Sequence, residues 1–275
     1  MKLVSPEATD AMLVDRAEGR NIIHNYFGVQ QRLSTGPQAY LVDMPDEGSR
    51  ISPHYHDVDQ FQVIVDGDGV IGPYPLKPVT FQYADAYTPY GPVIASKQGL
   101  NFYTLRMAPS GGHFDMPAAR HLMKSKPGRN IAGSFELKGD TPPGQCVVER
   151  VHAPEPDGIT AVGIRLGANA SGQGIASDAG GQYCVVCAGE VVHEGKRYPR
   201  LSLILVEPGE PAPQFTAGPA GAEIMVVQFP RPSERLGSDP KQLATRDMDA
   251  LYHLPKTWLR EDAKPEGGGQ KATKH

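Results

Sequence analysis

The chain has 275 residues, 31 of them glycine and 26 proline, so about a fifth of it is turn-forming; this excludes a helical bundle, because both residues are poor in helix interiors. A hydrophobic share of 39% can build a core and excludes a disordered chain. The net charge of −4, with Lys and Arg scattered apart from a short Lys-bearing tail, carries no footprint for nucleic acid or an anionic membrane.

The N-terminus, Met1 to Glu7, lacks the apolar run of a signal peptide, and the longest apolar stretches, such as Leu203–Val206, are strand-length. A soluble, cytoplasmic protein is the expectation. Short strands follow, punctuated by Asp66-Gly-Asp-Gly69 and Ala86-Tyr-Thr-Pro89. Met107 to Pro127 reads as a linker with a short helix around Ala118–Lys124. A second set of strands then runs past Pro208-Gly-Glu-Pro211. Beyond Pro232 the character changes: Ser238 is placed to cap a helix through Leu251, and the Gly- and Lys-rich stretch from Ala263 is expected to be disordered. The three cysteines are not a disulfide framework. Cys184 and Cys187 form a C-x-x-C inside a strand-like run, where side chains three apart face opposite ways.

The chain repeats itself. Asp59-Gln-Phe-Gln-Val-Ile-Val-Asp-Gly67 resembles Gly181-Gln-Tyr-Cys-Val-Val-Cys-Ala-Gly189, with Gln60 and Gln182 set 122 residues apart. The same offset aligns Pro89 with Pro211, Val79–Ala84 with Leu201–Val206, and Asn101–Leu105 with Glu223–Val227, without a gap from about Ser49/Ser171 onward. A second echo, Gly19-Arg-Asn-Ile22 and Gly128-Arg-Asn-Ile131, has an offset of 109. Extra residues in the second copy would then fall at Gly139–Gly144. Two all-β units of the sandwich or barrel kind follow.

Gly48 leads through five residues to His54-Tyr-His56, then Gln60, then Gly67. His54 and His56 are two apart and face one way on a strand; the Asp57-Val-Asp59 turn brings Gln60 back beside them. This spacing resembles the first signature of the cupin superfamily, with Gln60 where that family usually has Glu. Pro89-Tyr-Gly91 keeps part of the second signature, with Ile94 and Gln98 at its His and Asn positions. The resemblance covers about residues 19–110 and, through the repeat, 128–230.

It implies two tandem cupin-type double-stranded β-helix barrels with a short helical C-terminal segment: 1–115 as the first barrel, 116–127 as linker, 128–232 as a degenerate second barrel and 233–275 as helix and tail. It also implies a divalent transition metal (Fe, Mn, Ni, Cu or Zn) held by His54, His56 and Gln60, no nucleotide cofactor, and a homodimer. Asp57, Asp59 and His113 are further candidate ligands, each more readily read as a solvated loop residue. A Gln carbonyl is a weak, neutral donor, so the site would be weak, completed by substrate, or free of metal.

By parity Gln62 points inward with Gln60. Gln60, Tyr90 and Tyr103 are candidate catalytic groups; Gln62, Arg50, Tyr87 and Arg106 are candidate contacts to a small acidic or phenolic substrate, the tyrosines doubling as packing residues. At the offset of 122, His54 becomes Ala176 and His56 becomes Asp178, so the second barrel reads as structural, as a dimerisation or lid element, or as a site where Asp178 and Gln182 hold a small polar ligand. Three functions stay open: a metal-dependent, dioxygenase-like enzyme; an isomerase, epimerase or lyase with a histidine base and a tyrosine acid; and a non-catalytic small-molecule binder.

Overall fold

A computed structural model describes residues 1–16, 19–28 and 36–244. Strands make up nearly all regular structure, as the Gly and Pro load requires. Two antiparallel sheets and a two-stranded ribbon hold them. No helix among the described residues is long and apolar enough to cross a membrane.

The chain divides into two compact units. In the first, Gln60–Ile71 and Val93–Arg106 lie at the sheet centre, flanked by Thr80–Ala84 and Asn130–Ser134 on one side and by Gln38–Met44, Gly19–Phe27 and Asp10–Arg16 on the other. The second places Gln182–His193 and Gln214–Gln228 at the centre, with Leu203–Val206 and Lys2–Val4 to one side and Thr160–Leu166 and Cys146–His152 to the other. The inward face of the first is filled by Tyr40, Val42, Met44, Ile64, Leu100 and Phe102. Ile164, Leu166, Val186, Ile204, Phe215 and Ile224 do the same in the second. Cys184 belongs to that core, whereas Cys187 does not, and all three thiols are free.

The offset of 122 holds in the hydrogen-bond register. Phe61 pairs with Leu105 as Tyr183 pairs with Val227, and Ile64 pairs with Phe102 as Val186 pairs with Ile224. Both ladders then break at the same place, before Gly67 opposite Leu100 and before Gly189 opposite Ala222. The equivalence also reaches back to Gln38–Met44 and Thr160–Leu166.

The second echo is local. Gly19–Phe27 runs beside Gln38–Met44, but Asn130–Ser134 runs beside Thr80–Ala84. The counterpart of Gly19–Phe27 is Cys146–His152, which flanks Thr160–Leu166.

Unit boundaries differ from 1–115 and 128–232. Met1–Thr9 belongs with Gly133–Arg231, because Lys2, Leu3 and Val4 pair with Leu205, Ile204 and Leu203. Asp10–Ala132 forms the first unit together with residues 232–244, so the expected linker is part of that unit. Arg235 Nη2 donates to Ala86 O and Lys126 O at 2.7 and 2.9 Å, and Asp59 N donates to Gly237 O at 3.4 Å. A strand must satisfy its backbone groups on some edge, and local periodicity does not say which.

The linker helix is a 3-10 turn over Ala118–Leu122. The C-terminal helix starts at Pro240, its Lys241 N–H capped by Asp239 rather than by Ser238. Its expected continuation to Leu251 and the expected disordered tail lie outside the described residues.

Candidate functional site

The short strand His54–Tyr55 pairs with Phe114–Asp115 and exchanges two backbone hydrogen bonds with Tyr90, 3.1 and 3.0 Å long. His54 and His56 therefore face one way, with ring centroids 5.1 Å apart. Gln60 opens the next strand, and Arg106 closes the strand beside it. All four side chains are buried.

They form one hydrogen-bonded chain whose proton positions follow from its ends. His54 Nδ1 is 2.7 Å from Ser52 O; a carbonyl only accepts, so Nδ1 carries the proton and Nε2 a lone pair. Tyr90 Oη, 2.8 Å away, donates to that lone pair. Gln60 Nε2 donates to Tyr90 Oη at 2.6 Å, and Gln60 Oε1 accepts from Arg106 Nε at 2.8 Å. Arginine only donates, which fixes the Gln60 amide orientation. Arg106 Nη2 reaches His56 Nε2 at 3.0 Å, so that atom is also a lone pair, and His56 Nδ1 donates to Gly112 O at 2.6 Å. Arg106 Nη1 donates to Gln38 Oε1 at 3.1 Å.

A turn covers the histidines. Asp57 accepts from Gly111 N at 2.8 Å and from Ser110 Oγ at 3.2 Å, while Ser110 N donates to Gln38 Oε1 at 3.2 Å. His113 stacks on His54, centroids 3.5 Å apart, with its Nδ1 3.1 Å from Asp115 Oδ1.

The structure thus brings His54, His56, Gln60, Tyr90 and Arg106 together and adds His113. Gln62 lies one pleat further in, opposite Gln82 and Thr104. Tyr103 is on the other face of its strand, edge-on to Tyr26 at 5.2 Å, because the strand alternates unbroken from Leu100 and Phe102 in the core to Arg106 at the site. Tyr87 packs in an apolar cluster with Tyr55, Ala86, Phe114 and Ala119. Arg50 is exposed on the strand Arg50–Ile51. Asp57 holds the covering turn rather than the histidines' open side, and Asp59 accepts from Ala86 N at 2.8 Å. Gln38 and Ser110 were missed; extending the repeat back to the strand Gln38–Met44 was the available signal for Gln38.

Metal fit follows from the donor set. Among the described residues no three His, Cys, Asp or Glu side chains are placed to hold a metal ion. Two of the three expected ligand atoms, His56 Nε2 and Gln60 Oε1, accept from one guanidinium, and the third, His54 Nε2, accepts from a phenol. A guanidinium does not give up its charge, and a dication beside it is repelled. In this arrangement the residues do not fit a divalent metal.

The second unit keeps the frame without the chemistry. Gln182 and Gln228 stand where Gln60 and Arg106 stand, with Gln182 Nε2 donating to Gln228 Oε1 at 2.8 Å. Gln228 Nε2 in turn donates to Gly158 O at 2.8 Å and to Asp178 Oδ1 at 3.3 Å.

Behind the site, burial first and the charge of Asp85 second push the Asp59 carboxyl up to about 7. The unfolded value is near 3.8, so the folded state holds more protons between the two values. Stability is therefore expected to fall as pH rises from 4 to 8, by a few kcal/mol. Asp59→Asn keeps the oxygen that accepts from Ala86 and should flatten this loss in urea denaturation at pH 5 and pH 8. An unchanged pH slope in the variant would refute the assignment.

No family model matches this sequence, and no curated protein matches it. Solved structures do. A Nostoc punctiforme protein described as a "putative dioxygenase" aligns with TM-score 0.57 at 10% identity, over 86% of this chain and 84% of that one. A bacterial pirin from Escherichia coli in complex with nickel(II) gives TM-score 0.54 at 11% identity, over 84% and 99%. The formate complex of Lactobacillus farciminis oxalate decarboxylase gives 0.53 at 11% identity, over 92% and 96%. At such identities the likeness is one of fold. The chain has the bicupin fold: all-β, with two cupin-type barrels in tandem.

Proposed function

We propose that the first unit acts on a small organic acid by acid–base chemistry, as an isomerase, epimerase or lyase would, with His54 as base and Tyr90 as acid. One observation carries this reading: Tyr90 Oη lies between the lone pair of His54 Nε2 at 2.8 Å and the amide of Gln60 at 2.6 Å. Substrate would displace the Tyr90–His54 hydrogen bond: His54 Nε2 then takes a proton from carbon, Tyr90 Oη returns one, and the imidazolium reprotonates the phenolate when the contact re-forms. Gln60 keeps the phenol oriented, and the fixed charge of Arg106 favours an anionic substrate.

The test is exchange. Chelator-treated protein is incubated in D2O with a panel of 2-hydroxy, 2-keto, sugar and phenolic acids, and loss of C–H signal is followed by proton NMR. Exchange into at least one compound is expected, slowed about 10²-fold or more in His54→Ala and in Tyr90→Phe. Exchange equal in both variants and wild type would rule the pair out; tight binding with no exchange would make the unit a non-catalytic binder.

A metal-dependent, dioxygenase-like reading has its own support. Both histidines hold Nδ1–H on main-chain carbonyls, the tautomer that metal-ligating histidines use. It requires Arg106 to leave His56 and Gln60.

A further inference from the structure

We infer that Arg106 is the resident cation of the first unit: it occupies the ligand atoms of His56 and Gln60 that a metal ion would need, and keeps metal out. The inference rests on the first unit being the site, but not on the proton-transfer reading of His54 and Tyr90.

Three observations converge on it. Arg106 is anchored from three sides, by Gln60 at 2.8 Å, His56 at 3.0 Å and Gln38 at 3.1 Å, all neutral acceptors. The anchoring is built by topology, because Arg106 closes a strand paired on one side with Gln38 and on the other with the strand that Gln60 opens. Its ring neighbour Tyr40, from the strand of Gln38, has its centroid 5.6 Å from the guanidinium carbon. The charge is therefore held in place and permanent.

The chain also contains its own comparison. The position of Arg106 is Gln228 in the second unit, and the positions of His54 and His56 are Ala176 and Asp178. Where the repeat has no histidines it has no arginine either, and the amide pair Gln182–Gln228 closes the gap. The arginine goes with the histidines, not with the frame. A merely structural arginine at the end of this strand would be expected in both units, since both ladders share the same register.

Arg106→Gln copies the second unit's own residue and should fold, while leaving His56 Nε2 without its donor. The experiment is equilibrium dialysis of untagged, chelator-treated protein against Ni2+ alone, with Arg106→Ala as the second variant. Wild type is expected to bind well under one ion per chain at tens of micromolar Ni2+. The Arg106 variants should bind about one per chain, at least about tenfold more tightly than wild type, through the imidazoles they free. Adding His56→Ala to either variant should abolish the gain.

The inference is overturned if wild type binds about one ion per chain and loses it in His54→Ala with His56→Ala. It is equally overturned if neither arginine variant binds more than wild type, or if the gained binding survives His56→Ala. A failed deuterium exchange leaves all these outcomes readable, so the two proposals fail separately.

Discussion

Replacing Gly189 by alanine is expected to cost the second unit about 3–4 kcal/mol, measured by urea denaturation, for two reasons that add. Gly189 has φ +66, in the left-handed region that a side chain resists. A Cβ there would also sit 2.0 Å from the carbonyl oxygen of Gly221, which is backbone and has nowhere to go. The first unit repeats the arrangement: Gly67 has φ +65 and its Cβ would lie 2.2 Å from Gly99 O. Gly195 separates the two contributions. Its φ is +75, but nothing lies within 4 Å of an added Cβ, so Gly195→Ala should cost only about 1–2 kcal/mol. Equal losses at Gly189 and Gly195 would show that the close approach carries no energy. The same pair of glycines marks the shared bulge, so the expected loss is a test of the repeat as well as of one residue.

Asp85→Ala should be about as damaging, with an expected loss of about 3–5 kcal/mol. Asp85 is buried, and its carboxylate collects Tyr83 Oη at 2.8 Å, Arg129 N at 2.7 Å, Arg129 Nη2 at 3.2 Å and Arg129 Nε at 3.3 Å. Burial alone would raise its pKa, but the hydrogen bonds and charge of Arg129 outweigh it and hold the carboxyl below its ordinary value. The contribution is thus present above the unfolded value of 3.8 and lost as pH falls below it, the opposite window to that of Asp59. Removing the carboxylate strands a partly buried guanidinium and a buried phenol, whereas Tyr83→Phe, which deletes one donor, should cost about 1 kcal/mol. Denaturation at neutral pH decides it; a loss for Asp85→Ala no larger than for Tyr83→Phe would show that Arg129 finds water instead.

How the site was legible differs from residue to residue. His54, His56 and Gln60 could be placed together because strand alternation and a three-residue turn are local rules. Tyr90 was one of three candidate tyrosines, with Tyr87 and Tyr103; a single backbone bridge to His54 sets it apart. Tyr103 lies on the face opposite Phe102 and Arg106, because its strand alternates unbroken, while the bulged residue of the ladder, Val65, is on the neighbouring strand. Arg106 was visible as a cation without a destination. Its contacts come from strands 46 and 68 residues away, and no local pattern reports such pairings.

The glycine and proline load, the strand-length apolar runs and the offset of 122 were enough to determine an all-β chain built twice, with the His54/His56 pair in one half only. Those are properties of turns and periodicity, which are written locally. Only the tertiary structure decided where the edges close: the N-terminal strand completes the second unit's sheet and residues 232–244 return to the first. It alone also decided that His56 meets a guanidinium and His54 a phenol. Edge pairing and the meeting of a strand's last residue with a distant strand's first depend on three-dimensional register, which a chain read in order does not display.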